Sequence, residues 1–219
     1  MKKEQQRLVN NIVLGLILST SLYTTAWAAP APTTVPTNPV NVTGTNTWET
    51  KGTTTNPILN VTQDKTTVNA QINWNTFSVG KDAIVNFMQN SSNQTLVNQV
   101  VTNNMSEIYG QMNASGNIVL VNPNGIILAK GSEINAGGFA AYAAAGTKLT
   151  DPANRLSEGN IIADGTITVG VGTAKALAAK FGIENFAVGL GEASGFGNAN
   201  KIALVANGDV TVNKNAKLT

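Results

Sequence analysis

The sequence predicts an all-β chain, a β-solenoid of short parallel strands stacked coil upon coil. Three observations point to it. Short Val/Ile/Leu runs alternate with Asn, Gly, Asp and Lys, which is strand-and-turn chemistry; examples are Ile84–Phe87, Asn117–Val121, Gly125–Leu128, Ile161–Ala163 and Gly165–Val169. An octet recurs with an apolar residue, a lysine, a small residue and a second apolar residue in fixed order. It reads Val79–Asn86, Leu128–Asn135 and Val212–Thr219. The third observation is that a chain marked for export has no cysteine, so cohesion must come from packing rather than crosslinks.

The export signal stands at the start. Met1-Lys2-Lys3 and Arg7 precede an apolar run from Ile12 to Leu18, with a weaker continuation at Leu22-Tyr23, and then Ala26-Trp27-Ala28. That core is far shorter than the roughly 20 residues that span a bilayer. Small residues occupy the two positions a signal peptidase reads, Ala26 and Ala28, so residues 1–28 are expected to be a signal peptide cleaved after Ala28. A cut one residue later would leave Pro30 directly beyond the scissile bond. Residues 29–45, rich in Pro, Thr and Asn, are expected to form an extended linker, and residues 46–219 a single domain.

Within that domain the octets predict register. A longer likeness supports it: Ile118–Val121 followed by Asn124-Gly125 resembles Ile202–Val205 followed by Asn207-Gly208. If a coil holds about 20 to 25 residues, these copies lie two to four coils apart. The competing fold is an antiparallel sandwich, which also yields short strands and polar turns. Two stretches fit coils less well. Gly137–Ala145 reads as a strand packed under a close neighbour or as a short helix. Thr173–Asn185 has helix-forming Ala, Leu and Lys interrupted by Gly182, and is expected to leave the solenoid. Thr219 falls inside an octet with no capping sequence after it, so the domain is expected to be truncated at its C-terminal end.

Composition narrows the chemistry. Charged residues make up 12% of the chain, the net charge is +2, and Arg155 is the single arginine after the leader; nucleic-acid binding, which needs clustered cations, is not expected. There is no histidine, which removes imidazole-based triads and histidine metal sites. Parallel β-helices also host carbohydrate-active enzymes, which need converging carboxylates. Here Asp64, Asp82, Asp151, Asp164 and Asp209 are scattered singly, though Asp164 and Asp209 fall beside strands. No catalytic residue, cofactor or metal is expected. The Asn-x-Ser/Thr triplets at Asn41, Asn60, Asn90, Asn93, Asn104 and Asn113 follow from composition. The sharpest local signal is Asn122-Pro123-Asn124-Gly125, four residues that each suit their place in a type I turn.

Taken together, Ile72–Phe87 (INWNTFSVGKDAIVNF), Ser106–Gly116, Val119–Ile126 and Ile134–Phe139 resemble the secretion domain of the filamentous-haemagglutinin and high-molecular-weight adhesin family of two-partner-secretion exoproteins. The likeness covers about residues 45 to 140. It implies a right-handed, single-stranded parallel β-helix with an N-terminal cap, and a non-enzymatic secretion-targeting role. It also implies export through the Sec translocon, signal peptidase processing, and recognition by an outer-membrane transporter with periplasmic docking domains. In that family an Asn-Pro-Asn-Gly turn is associated with secretion, which carries over to Asn122, Pro123, Asn124 and Gly125. An upstream Asn-Pro-Asn-Leu motif of other members is replaced here by Asn90–Leu96 (NSSNQTL). A passenger region acting on host-cell glycans or proteins would lie beyond this domain. The competing functions are a β-helical carbohydrate-active enzyme and a free-standing carbohydrate-binding or adhesin module.

Overall fold

The computed structural model describes residues 28–144, 159–188, 201–206 and 208–219. Strands follow one another around three sheets in a repeating order. β3 (Pro57–Thr62), β5 (Ile84–Met88), β8 (Gln111–Ala114), β11 (Glu133–Ala136), β14 (Thr166–Val169) and β17 (Lys217–Leu218) stack on the first face. β4 (Asn69–Trp74), β6 (Thr95–Val100), β9 (Asn117–Val121), β12 (Gly138–Ala143) and β15 (Ile202–Ala206) form the second, and β7 (Ser106–Ile108), β10 (Ile126–Leu128), β13 (Ile161–Ala163) and β16 (Val210–Val212) the third. All pairings among these strands are parallel. The fold is therefore the single-stranded parallel β-helix that the sequence predicts, and not a sandwich.

The octets occupy equivalent corners. Val79, Ile108, Leu128, Ala163 and Val212 form one row, and Val85, Met112, Ile134, Ile167 and Leu218 another. Each copy thus recurs every second coil. The longer likeness is in register too: Ile118 and Ile202 both flank Phe139, while Asn207 lies outside the described residues. Alternation explains the inward rows, since successive strand residues point to opposite faces; β3 and β5 bury every other side chain. Each buried Val, Leu, Ile, Phe or Met contributes on the order of 1.5–3 kcal/mol, and the rows are continuous along the axis. The widest side chains sit in the early coils. Trp74 meets Phe77 edge-on at 5.5 Å, and Phe77 stacks on Phe87 at 6.4 Å.

Two polar pairs stand inside this core. Asn98 interrupts the apolar row of Ile72, Leu120 and Ala141, and its Oδ1 accepts the Trp74 indole N–H at 3.1 Å. The aromatic cluster thereby keeps its one polar atom satisfied. At the corner between the first two faces, buried Gln63 and Gln89 lie side by side, with Gln89 Nε2 donating to Gln63 Oε1 at 2.9 Å.

The linker expected over residues 29–45 is not free. β1 (Val40–Thr43) pairs antiparallel with β4, and Thr37 bridges Thr76; β2 (Thr47–Gly52) pairs antiparallel with β3. These two reversed strands cover the outer edge of the first coil, so the N-terminal end of the stack does not present an open parallel edge. Prolines at positions 30, 32, 36 and 39 bar a ladder only where they stand, and the residues between them pair. Upstream, residues 31–34 are bonded to an octet corner: Gly80 N–H donates to Thr34 O and Asp82 N–H to Pro32 O, each at 2.9 Å. A side chain at Gly80 would collide with the carbonyls of Ala31 and Pro32. Gly80→Ala is expected to unseat this segment at a cost of about 1–3 kcal/mol, read as lost hydrogen-exchange protection at the Gly80 and Asp82 amides.

Most of the Gly137–Ala145 stretch is strand β12 (Gly138–Ala143), with Gly137 and Ala144 as bends at its ends and Ala145 outside the described residues. Helix α1 (Val171–Lys180) occupies much of the stretch expected to leave the solenoid. It lies against β8, β11 and β14 through buried Ala174, Leu177 and Ala178. Its continuation docks on the corner after β5, where Ala187 exchanges hydrogen bonds with Asn90 and Ser92. Asn90 and Ser92 belong to the Asn90–Leu96 stretch (NSSNQTL).

Candidate functional site

Asn122–Gly125 turns the chain from β9 to β10. Gly125 N–H donates to Asn122 O at 3.1 Å, closing the predicted turn, and Asn124 N–H donates to Asn122 Oδ1 at 3.0 Å. Gly125 carries φ +116°, a left-handed value that glycine tolerates and other residues avoid. The asparagine amides point inward. Asn122, fully buried, donates through Nδ2 to Asn104 O at 2.8 Å and Ser106 Oγ at 2.9 Å. Asn124 Nδ2 donates to Thr102 O at 2.7 Å and Asn122 Oδ1 at 3.0 Å. The motif therefore fastens its own corner to residues 102–106 of the preceding coil, while Pro123 and Asn124 stay half-buried at the surface.

Beside this corner opens a cleft of about 670 Å3. Pro123 and Asn124 form one wall, Pro30 and Thr34 contribute from the N-terminal segment, and Ser78 and Glu107 line it from the third face. Glu107 is the single ionisable side chain among the described lining residues. It lies on the outward side of β7, between buried Ser106 and Ile108, and its backbone N–H donates to Ser78 Oγ at 3.1 Å. Its Oε2 is buried and has no partner among the described residues. Burial, which penalises the charged form, pushes its carboxyl above the usual range. Burial raises the neighbouring Tyr109 hydroxyl, and the Glu107 charge raises it further.

The other sequence-predicted positions separate. Asp164 follows β13 and Asp209 precedes β16, whose first residues Ile161 and Val210 are paired, so the two aspartates sit at opposite ends of one ladder. Asp82 pairs with Lys81 at 2.8 Å, and Asp64 accepts from Thr66, which holds its carboxyl below the usual range. Asp151, Arg155 and Ala26 lie outside the described residues; Ala28 is described and exposed. Among the described residues no three His, Cys, Asp or Glu side chains gather at a metal-binding spacing.

Two polar arrays escape sequence reasoning. Asn60, Asn86, Asn113 and Asn135 stack on the first face, each Nδ2 donating to the Oδ1 of the previous one at 2.9, 3.0 and 3.2 Å. Asn86 and Asn135 close their octets, which was the available signal. Asn113 is buried, and its Nδ2 is engaged in this ladder. The Gln63–Gln89 pair had no such signal, because a strand-end glutamine ordinarily reads as a solvated turn residue.

A family model described as TPS secretion domain matches residues 34–219. Two curated relatives are Heme/hemopexin-binding proteins of Haemophilus influenzae. One, from strain Rd, is 31% identical over 115 residues, covering 49% of this chain and 13% of the relative. The other is 38% identical over 89 residues, covering 38% of this chain and 10% of the relative. The chain thus spans a small fraction of their length. Among solved structures, the HMW1 secretion domain from Haemophilus influenzae aligns with TM-score 0.55 and 23% identity over 81% of this chain and 42% of that one.

Proposed function

The chain belongs to the TPS secretion domain family, and from that membership we propose that it directs a larger exoprotein across the outer membrane through a dedicated transporter. The family match over residues 34–219 is the observation that carries this reading. In the proposed route the leader delivers the chain through the Sec translocon and signal peptidase removes residues 1–28. Periplasmic docking domains of the transporter then receive the domain, and the passenger acts on host targets. The ligand for which the relatives are named, heme or hemopexin, belongs to whole proteins several times longer than this domain.

Physical chemistry supports the transport step. A cysteine-free chain of low charge can thread a narrow pore without crosslinks to undo. Stacking on the far side then opposes return, because each coil added to the β-helix buries apolar rows against the coil before it. The Asn122–Gly125 corner with its cleft is the proposed recognition surface. Residues 1–219 are expected to yield secreted protein when co-expressed with the cognate outer-membrane barrel and to remain cell-associated without it. Equal secretion in a host lacking any such barrel would overturn the proposal and favour a free-standing binding module.

A further inference from the structure

We propose that signal-peptide removal after Ala28 creates the counter-ion of Glu107, namely the α-ammonium group of Ala29, presented at the mouth of the cleft beside Asn122–Gly125. The inference rests on the proposed processing site and goes beyond it by giving the new terminus a structural partner. Four observations converge. Pro30, the residue next to the new terminus, lines the same cleft as Glu107. Residues 31–34 are bonded to the Gly80 corner, so the path of the chain into the cleft is set. Ala29 is exposed, and one residue extends the chain by about 3.5 Å. Glu107 Oε2 is buried without a partner, and no cationic side chain lines the cleft among the described residues.

The chemistry is a change of charge on one nitrogen. In the uncleaved chain the Ala29 nitrogen is a neutral amide. Hydrolysis of the Ala28–Ala29 bond adds one water, leaving a carboxylate on Ala28 and an amine on Ala29 that binds a proton below a pKa of about 8. A cation within about 4–6 Å favours the ionised carboxylate, which reverses the burial effect on Glu107. The processed terminus would then fasten the cap and close one side of the cleft. The unprocessed chain has no such group, so the ion pair forms only after processing, on a cap whose strands already pair without it.

The experiment uses the secreted, processed protein and a version carrying two glycines inserted between Ala28 and Ala29, which moves the amine about 7 Å along the chain. Mass spectrometry identifies each mature terminus, and carboxyl-resolved NMR follows the titration of Glu107. The Ala29-starting protein is expected to titrate Glu107 about one unit or more below the glycine-extended protein, and Glu107→Gln is expected to lower the pKa of the Ala29 amine. A mature terminus other than Ala29 overturns the proposal at its premise. A Glu107 midpoint indifferent to the two glycines overturns it at the ion pair, with the processing site intact.

Discussion

Replacing Gln89 with leucine is expected to lower the folding stability of the domain by about 2–5 kcal/mol, although the two side chains are similar in size. Gln89 is fully buried at the corner after β5. Its Oε1 accepts Gly116 N–H at 2.8 Å, and its Nε2 donates to Gln63 Oε1, Asn117 O and Gln94 O at 2.9, 3.0 and 3.1 Å. Leucine would leave the Gly116 amide and the Gln63 oxygen without partners in a site closed to water. Each orphaned group costs about 1–3 kcal/mol, and Gln94 O keeps a second bond from Asn117 N–H. The urea midpoint should fall accordingly. Gln63→Leu combined with Gln89→Leu should cost less than the sum of the single changes, because the pair then loses both ends of one bond together. A midpoint unchanged by Gln89→Leu would show that this corner is wet or locally open.

Asn122→Ala is expected to cost about 2–4 kcal/mol, with Asn124→Ala costing clearly less. Asn122, itself fully buried, supplies bonds to Asn104 O and Ser106 Oγ and accepts the Asn124 amide; alanine removes all three and leaves the buried Ser106 hydroxyl without that donor. Asn124 loses its side-chain bonds to Thr102 O and Asn122 Oδ1 at a half-buried surface where water can replace them. Urea unfolding of the two variants gives the order directly. If the asparagines acted solely as contact residues for the transporter, both variants would unfold at the wild-type midpoint. A stability loss confined to Asn122 assigns that residue to holding the corner and leaves Pro123 and Asn124 as the accessible part of the motif.

Much of the architecture was legible because parallel coils repeat their chemistry. Val79, Leu128 and Val212 were aligned by sequence and occupy one row; the turn at Asn122–Gly125 follows from the φ preferences of four residues. Residues 29–45 read as a linker because prolines signal the absence of a regular ladder, while β1, directly after Pro39, pairs with a strand some thirty residues away. That pairing leaves no local trace.

Local sequence, then, determined what any stretch of a stacked chain must settle for itself: where strands run, where corners fall, which side chains face inward, and that no crosslink holds the coils. Tertiary structure alone decided which polar groups meet. Gln63 finds Gln89, Trp74 finds Asn98, and Glu107 comes to share a cleft with Pro30 and the Asn122 corner. The reason is physical. Hydrophobic burial is non-directional and follows from pattern, whereas a buried hydrogen bond requires donor and acceptor within about 3 Å, and residues 24 or more positions apart reach that distance only after the coils have closed.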